Sequence, residues 1–178
     1  DLNKPAFEAY ASELGFVYDE LNYTLKHLKG WAKPKRVGSP ISSWPSRSYV
    51  VPQPKGVCLI IAPWNYPFML VISPLIAAIA AGNTAFIKPA EQTSYTSNML
   101  AQILTENFDQ ELICVVQGEG YKVVPALMEA HRFDHIFFTG STAVGRRIAE
   151  MAAQKLSPVT LELGGKSPAV VDDTANLK

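Results

Sequence analysis

Cysteine is scarce in this chain of 178 residues: only Cys58 and Cys114 occur, each inside an apolar run. That argues against a disulfide scaffold and reads as two reduced, buried thiols. An excess of charge of either sign is also missing. Sixteen Lys plus Arg stand against sixteen Asp plus Glu, so there is no basic surplus of the kind that phosphate neutralisation requires, and nucleic acid is not an expected partner. Charged residues make up only 18% against 48% hydrophobic, which buries enough apolar surface to offset chain entropy and excludes intrinsic disorder. The longest apolar stretch, residues 68–82, has Ser73 and Pro74 inside it. It falls short of the roughly 20 residues of a membrane-spanning helix and reads as a helix buried against a sheet. The N-terminus is charged and lacks the basic-then-apolar pattern of a signal peptide, so the expected setting is the cytoplasm. Repeats and low-complexity tracts are absent. His27, His131 and His135 do not converge, and no metal site is expected.

What the chain does have is an ordered alternation of elements. In residues 7–28 the positions Phe7, Tyr10, Leu14, Val17, Leu21, Leu25 and Leu28 recur by threes and fours, which predicts one helix with an apolar stripe in need of a surface. A passage punctuated by Pro34, Pro40 and Pro45 follows, then a short strand over 47–51 stopped by Pro52 and Pro54. The organisational boundary falls here, giving an N-terminal helix and linker over 1–54 and an α/β unit over 55–178. In the second part, apolar runs at 57–61, 84–87, 112–116, 136–138 and 159–163 read as strands, with 169–171 a candidate sixth. Helices are expected over 67–81, 94–107, 123–129 and 143–153. Runs that are apolar throughout suit strands buried on both faces, and their alternation with helices predicts an open, doubly wound, mostly parallel sheet. In such a sheet the loops at the carboxyl ends of the strands build the ligand crevice.

Those loops carry the polar residues. The first strand exits into APWNYPF, where Pro63 bends the chain and Pro67 suits a first helical turn. Between them Asn65 is either a fixed amide donor to an oxyanion or the cap of the following helix. The second exits into KPAEQTS, whose Lys88 and Glu91 are either ribose ligands or solvated charges. The third exits into QGEGYK, where Gly118 and Gly120 permit a tight turn or close backbone approach to a ligand. The fourth runs into TGSTAVGRR: Gly140 allows the turn, Ser141 or Thr142 caps the helix, Gly145 allows close packing, and the helix N-terminus favours an anion such as a pyrophosphate. The fifth carries Glu162, followed by Gly164 and Gly165. This carboxylate is a partly buried general base with a raised pKa, a ribose ligand at the usual distance from a glycine turn, or a plain strand-end charge.

PWNYPF, the K-P-A-E stretch, FTGSTAVG and LELGGKSP, in this order, resemble the aldehyde dehydrogenase superfamily. The last two, with the helix leading into WAKPKRV, most resemble its class 3 and fatty-aldehyde branch. The resemblance implies a Rossmann-like fold binding NAD, with NADP a second cofactor, and oxidation of a small-molecule aldehyde to the acid through a cysteine thioester. By motif position, Asn65 matches the oxyanion-binding amide and Glu162 the general base. Lys88 and Glu91 match the holders of the adenosine ribose, and Ser141 with its helix matches the pyrophosphate site. Ile61, Pro63 and Trp64 line the cofactor cleft with Gly118, Gly140, Val144 and Gly145, and Leu163 meets the nicotinamide. The family's nucleophile would follow Lys178, and neither Cys58 nor Cys114 has its context, so the chain resembles the cofactor-binding part and is expected to be inactive alone. A homodimer or other homo-oligomer is expected for the full-length protein. Two alternatives stand: an inactive nucleotide-binding fragment, and a relative that acts on acyl-CoA, acyl-phosphate or semialdehyde substrates.

Overall fold

In the computed structural model, which describes residues 1–176, the N-terminal segment is helical from Ala6 to Trp31. It comprises α1 (Ala6–Ala9), a wider π turn (Tyr10–Leu14) and α2 (Gly15–Trp31). The helix forms where periodicity places it, but the buried face is not the expected one. Phe7, Tyr10, Leu14, Leu21 and Leu25 are exposed, whereas Glu13, Val17 and Thr24, spaced by four and seven, are buried. The cause is chemical. Glu13 is drawn inward by backbone N–H groups at the start of a neighbouring helix. The short Thr24 side chain lies at the recess where α2 faces the small residues Ala77 and Ala80.

The linker holds a two-stranded antiparallel hairpin, β1 (Lys35–Val37) with β2 (Ser48–Val50). β2 lies within the predicted 47–51; β1 was not expected, because its three exposed residues carry no alternation. The remainder alternates strictly: β3 (Val57–Ile61), α3 (Met69–Ala80), β4 (Thr84–Lys88), α4 (Ser94–Asn107), β5 (Ile113–Val115), α5 (Gly120–Ala130), β6 (His135–Gly140), α6 (Thr142–Gln154) and β7 (Val159–Leu163). The five strands β3 to β7 form one sheet in the order β5-β4-β3-β6-β7, every pairing parallel. The candidate strand at 169–171 does not form. Val170 and Val171 are exposed, and no strand pairs with that segment.

Side-chain alternation divides the core in two. Leu59, Ile61, Ile136 and Phe138 pack with Val124 and Met128 of α5 and Ile148 and Ala152 of α6. Ile60, Ala85 and Ile87 pack with Val71 and Leu75 of α3 and Leu100 and Leu104 of α4. Helices therefore cover both faces, and the strand order turns back between β3 and β6, which places a topological switch point at their carboxyl ends. At the opposite edge, the buried Asn83 side chain accepts from Lys55 N–H (2.7 Å) and Gly56 N–H (2.9 Å) and donates to Ala78 C=O (3.1 Å). Among the described residues no helix is long and apolar enough to cross a membrane.

Candidate functional site

A hollow of about 530 Å³ opens at the switch point. Its walls come from four strand ends and helix starts: Ile61, Pro63 and Trp64 after β3; Lys88 and Glu91 after β4; Gly120 and Tyr121 at the start of α5; Gly140, Ser141, Val144 and Arg147 across the β6–α6 turn. Of the residues singled out in the sequence, nine line it together: Ile61, Pro63, Trp64, Lys88, Glu91, Gly120, Gly140, Ser141 and Val144. Gly145 is buried just behind. A Cβ there would stand 2.7 Å from Leu163 Cδ2, so glycine is what lets α6 approach the end of β7. Gly118, at φ +129°, lines a smaller neighbouring pocket of about 210 Å³ that shares Ala90 and Glu91 with the hollow.

Lys88 is 2% exposed and is not a solvated charge. Its ammonium meets Glu91 Oε2, and Glu91 Oε1 accepts from Gly120 N–H at 3.1 Å. Burial alone would raise the Glu91 pKa. The hydrogen bonds from Lys88, from its own backbone N–H and from Gly120 outweigh that, and the carboxyl lies below its ordinary value. The pair thus fixes a carboxylate across the start of α5.

Four helices begin at this edge, and three begin against a carboxylate. Glu13 Oε2 accepts from Phe68 N–H (2.9 Å) and Met69 N–H (3.3 Å) at α3. Asp1 accepts from Tyr95 N–H (3.3 Å) and Thr96 N–H (2.8 Å) at α4. Glu91 does the same at α5. At α6 the cap is a neutral hydroxyl, Ser141 Oγ, accepting from Val144 N–H at 3.4 Å. Among these four, α6 keeps the positive end of its dipole without an anionic side chain, and it keeps it facing the hollow.

Asn65 and Glu162 are absent from the lining of the hollow. Asn65 sits in the turn between β3 and α3. It does not cap the helix, which starts at Met69 and takes Glu13 instead; its own amide is exposed and bonds to none of the described residues. Glu162 pairs in register with Thr139 and lines a recess of about 330 Å³ with Leu70, Ser73, Pro74 and Thr139. The expected partial burial is corrected: Glu162 is exposed, because β7 is the sheet's edge strand and nothing among the described residues covers its end. Leu163, opposite Gly140, points the other way, toward Gly145.

Cys58 is buried in β3, and burial pushes its thiol pKa up; Cys114 is half-buried in β5. Neither lines the hollow. Arg147 and Tyr121 line the hollow but carry no signal of their own in the sequence reading. Arg147 follows Ser141 by six residues on the helix that opens there, the one signal that placed it. A larger apolar recess of about 660 Å³ lies at the amino edge between α2 and α3, lined by Thr24, Leu28, Trp31 and Pro54. None of the strand-end motif residues lines it.

The sequence pattern of the aldehyde dehydrogenase family matches residues 1–178. Aldehyde dehydrogenase family 3 member A2 of Pongo abelii is 47% identical over 177 residues, covering 99% of this chain and 36% of the relative. The substrate-bound structure of Staphylococcus aureus AldH superposes with a TM-score of 0.88 at 47% identity, over 95% of this chain and 36% of that one. The structure of PnpE of Pseudomonas sp. WBC-3 in complex with nicotinamide adenine dinucleotide gives 0.70 at 35% identity, over 85% and 31%. The chain spans between 36% and 38% of the length of curated relatives it matches. With the four motifs gathered at one sheet edge and a family pattern running the whole length, this chain belongs to the aldehyde dehydrogenase family, and it is similar to that family's class 3 members.

Proposed function

We propose that the chain is the NAD(P)-binding part of an enzyme that oxidises an aldehyde to the carboxylic acid through a cysteine thioester, and that it binds NAD in preference to NADP. The residues present fit a dinucleotide. The hollow has the size of an ordinary cofactor cleft, about 300 to 1,000 Å³. A Cβ on Gly140 would meet the Phe138 ring at 2.6 Å, so the backbone itself forms that wall. PnpE, a structural neighbour at 35% identity solved with that dinucleotide, supports the assignment.

Bound there, the nicotinamide would supply the hydride acceptor. Lys88 and Glu91 would hold the adenosine ribose hydroxyls, donating and accepting respectively. Ser141 and the first N–H groups of α6 would hold the pyrophosphate, with Arg147 adding charge at the rim. Ile61, Pro63, Trp64 and Val144 form apolar walls, Gly118 shapes the turn beside Glu91, Gly145 lets α6 close on the sheet, and Leu163 borders the far end. The Asn65 amide would donate to the oxyanion of the attacked carbonyl, a contribution of about 3 kcal/mol where such donors have been removed. Glu162 would take a proton from the water that releases the acid. The Glu91 carboxylate would stand close to a 2′-phosphate, and Lys88 is already committed to it, which favours NAD.

The observation that carries the cofactor reading is the single helix N-terminus at this edge not met by a carboxylate. Ser141→Asp tests it. An aspartate caps a helix as well as serine does, so the melting temperature should hold or rise. The new charge would occupy the pyrophosphate position, and NAD affinity measured by calorimetry should fall about tenfold or more. Unchanged NAD affinity in a well-folded Ser141→Asp protein would overturn the assignment.

A further inference from the structure

We propose that Lys4 and Glu13 are positioning residues for the turn that carries Asn65, so that the N-terminal segment forms part of the carbonyl-binding apparatus; this rests on the reading of Asn65 as the oxyanion donor. The turn spans residues 62–68 and is weakly held by its own backbone. Ala62 N–H bonds Lys88 C=O (3.1 Å) at one end and Tyr66 C=O accepts from Leu70 N–H (3.0 Å) at the other. Pro63 and Pro67 have no N–H to offer. An amide that must present its N–H to a developing charge within a few tenths of an ångström needs firmer support than this.

The support comes from 61 and 55 residues upstream. Lys4 Nζ donates to Asn65 C=O at 2.7 Å, stands 4.1 Å from the centre of the Tyr66 ring, and pairs with Glu13 Oε1 at 2.9 Å. The other carboxylate oxygen takes Phe68 N–H and Met69 N–H. One ion pair therefore grips the turn at both ends: the peptide that follows Asn65 through the ammonium, and the start of α3 through the carboxylate. Lys4 and Glu13 side chains are only 16% and 8% exposed. In such a setting charge-assisted bonds are strong, and loss of one partner leaves the other unpaired out of water. The π turn at Tyr10–Leu14 contains Glu13, and a widened turn of this kind marks functional positions more often than ordinary helix does. With the Asn65 carbonyl held by Lys4 and the start of α3 held by Glu13, the backbone that carries the Asn65 amide is anchored on both sides.

A lysine that only staples the fold and a lysine that aims Asn65 differ in coupling. In the complete enzyme, kcat and KM for an aldehyde and calorimetric NAD affinity are measured for Lys4→Met, Lys4→Arg, Asn65→Ala and the double variant Lys4→Met/Asn65→Ala. Lys4→Met is expected to lower kcat about tenfold or more, with NAD affinity within about twofold of wild type because neither Lys4 nor Glu13 lines the dinucleotide hollow. Lys4→Arg should recover most of the loss. In the Asn65→Ala background Lys4→Met should have no further effect on kcat. Glu13→Gln, which keeps the side chain's shape and an acceptor for Phe68 N–H, provides the same comparison if Lys4→Met folds poorly. Full kcat in both Lys4→Met and Glu13→Gln, or losses that multiply with Asn65→Ala, would reduce the pair to a staple and overturn the proposal. Full kcat in Asn65→Ala alone would instead remove the oxyanion reading, and the proposal with it.

Discussion

Glu91 is bound on three sides, by the Lys88 ammonium, its own backbone N–H and the Gly120 N–H. Two consequences separate. In Glu91→Gln the side chain keeps its shape and loses its charge, so NADP affinity should rise relative to NAD by about tenfold, the effect of removing one nearby like charge in a partly screened site. Parallel calorimetric titrations with the two cofactors measure it, and an unchanged ratio would take Glu91 out of cofactor choice. The second consequence concerns pH. Because the folded-state pKa lies below the ordinary 4.5, this carboxylate contributes stability that is complete above that value. The contribution is lost as pH falls from there through the lowered folded value. The stability difference between wild type and Glu91→Gln, followed by denaturant unfolding, should therefore stay constant at neutral pH and shrink in acid. A difference that grew on acidification would contradict the observed bonding.

Among the elements, the two edges of the sheet have different work. The carboxyl edge gathers Lys88, Glu91 and Ser141, whereas the amino edge is knit by Asn83, whose carbonyl ties down the chain entering β3 while its amide holds the end of α3. Asn83→Ala leaves those part-buried N–H groups without their acceptor and should cost about 1 kcal/mol of stability. NAD affinity of the folded fraction should not move, and a large loss of affinity would show that the edges are coupled. The parallel strands were legible in the sequence because strands buried on both faces are apolar throughout, as Val57–Ile61 is. The loop motifs were legible because glycine, proline and charge interrupt those runs. What was not legible depended on distance. The cap of α3 is Glu13 and that of α4 is Asp1, 55 and 95 residues away in the chain, and no local pattern announces such a partner. For the same reason Val170 and Val171 looked like a strand: composition marks the propensity, but a strand also needs a neighbour, and β7 has none beyond it. Glu162 was read as partly buried from the apolar residues around it, yet an edge strand leaves its last side chains uncovered.

At the scale of the molecule, the sheet acts as a partition. One face, with α5 and α6, carries the hollow proposed for a dinucleotide; on the other, Glu162 lines a recess with residues of α3. Hydride transfer would have to take place where the two meet, beyond the ends of β6 and β7, and a thiolate able to attack a carbonyl there would have to come to that rim. Neither cysteine does so. Cys58 lies in the second position of β3, at the amino end of the sheet, with its thiol pKa raised by burial, and Cys114 lies in β5, with β4 and β3 between it and β6. We therefore expect the 178-residue chain to retain NAD while showing no aldehyde-dependent formation of NADH. We also expect Cys58→Ser and Cys114→Ser to leave cofactor affinity within about twofold of wild type, since a buried thiol away from the ligand contributes packing rather than contact. Calorimetry and a spectrophotometric assay with the same preparations decide the point. Aldehyde oxidation abolished by either serine substitution would mean that a thiol moves more than half the length of a strand to reach the rim, and the partition drawn by the sheet would have to be abandoned.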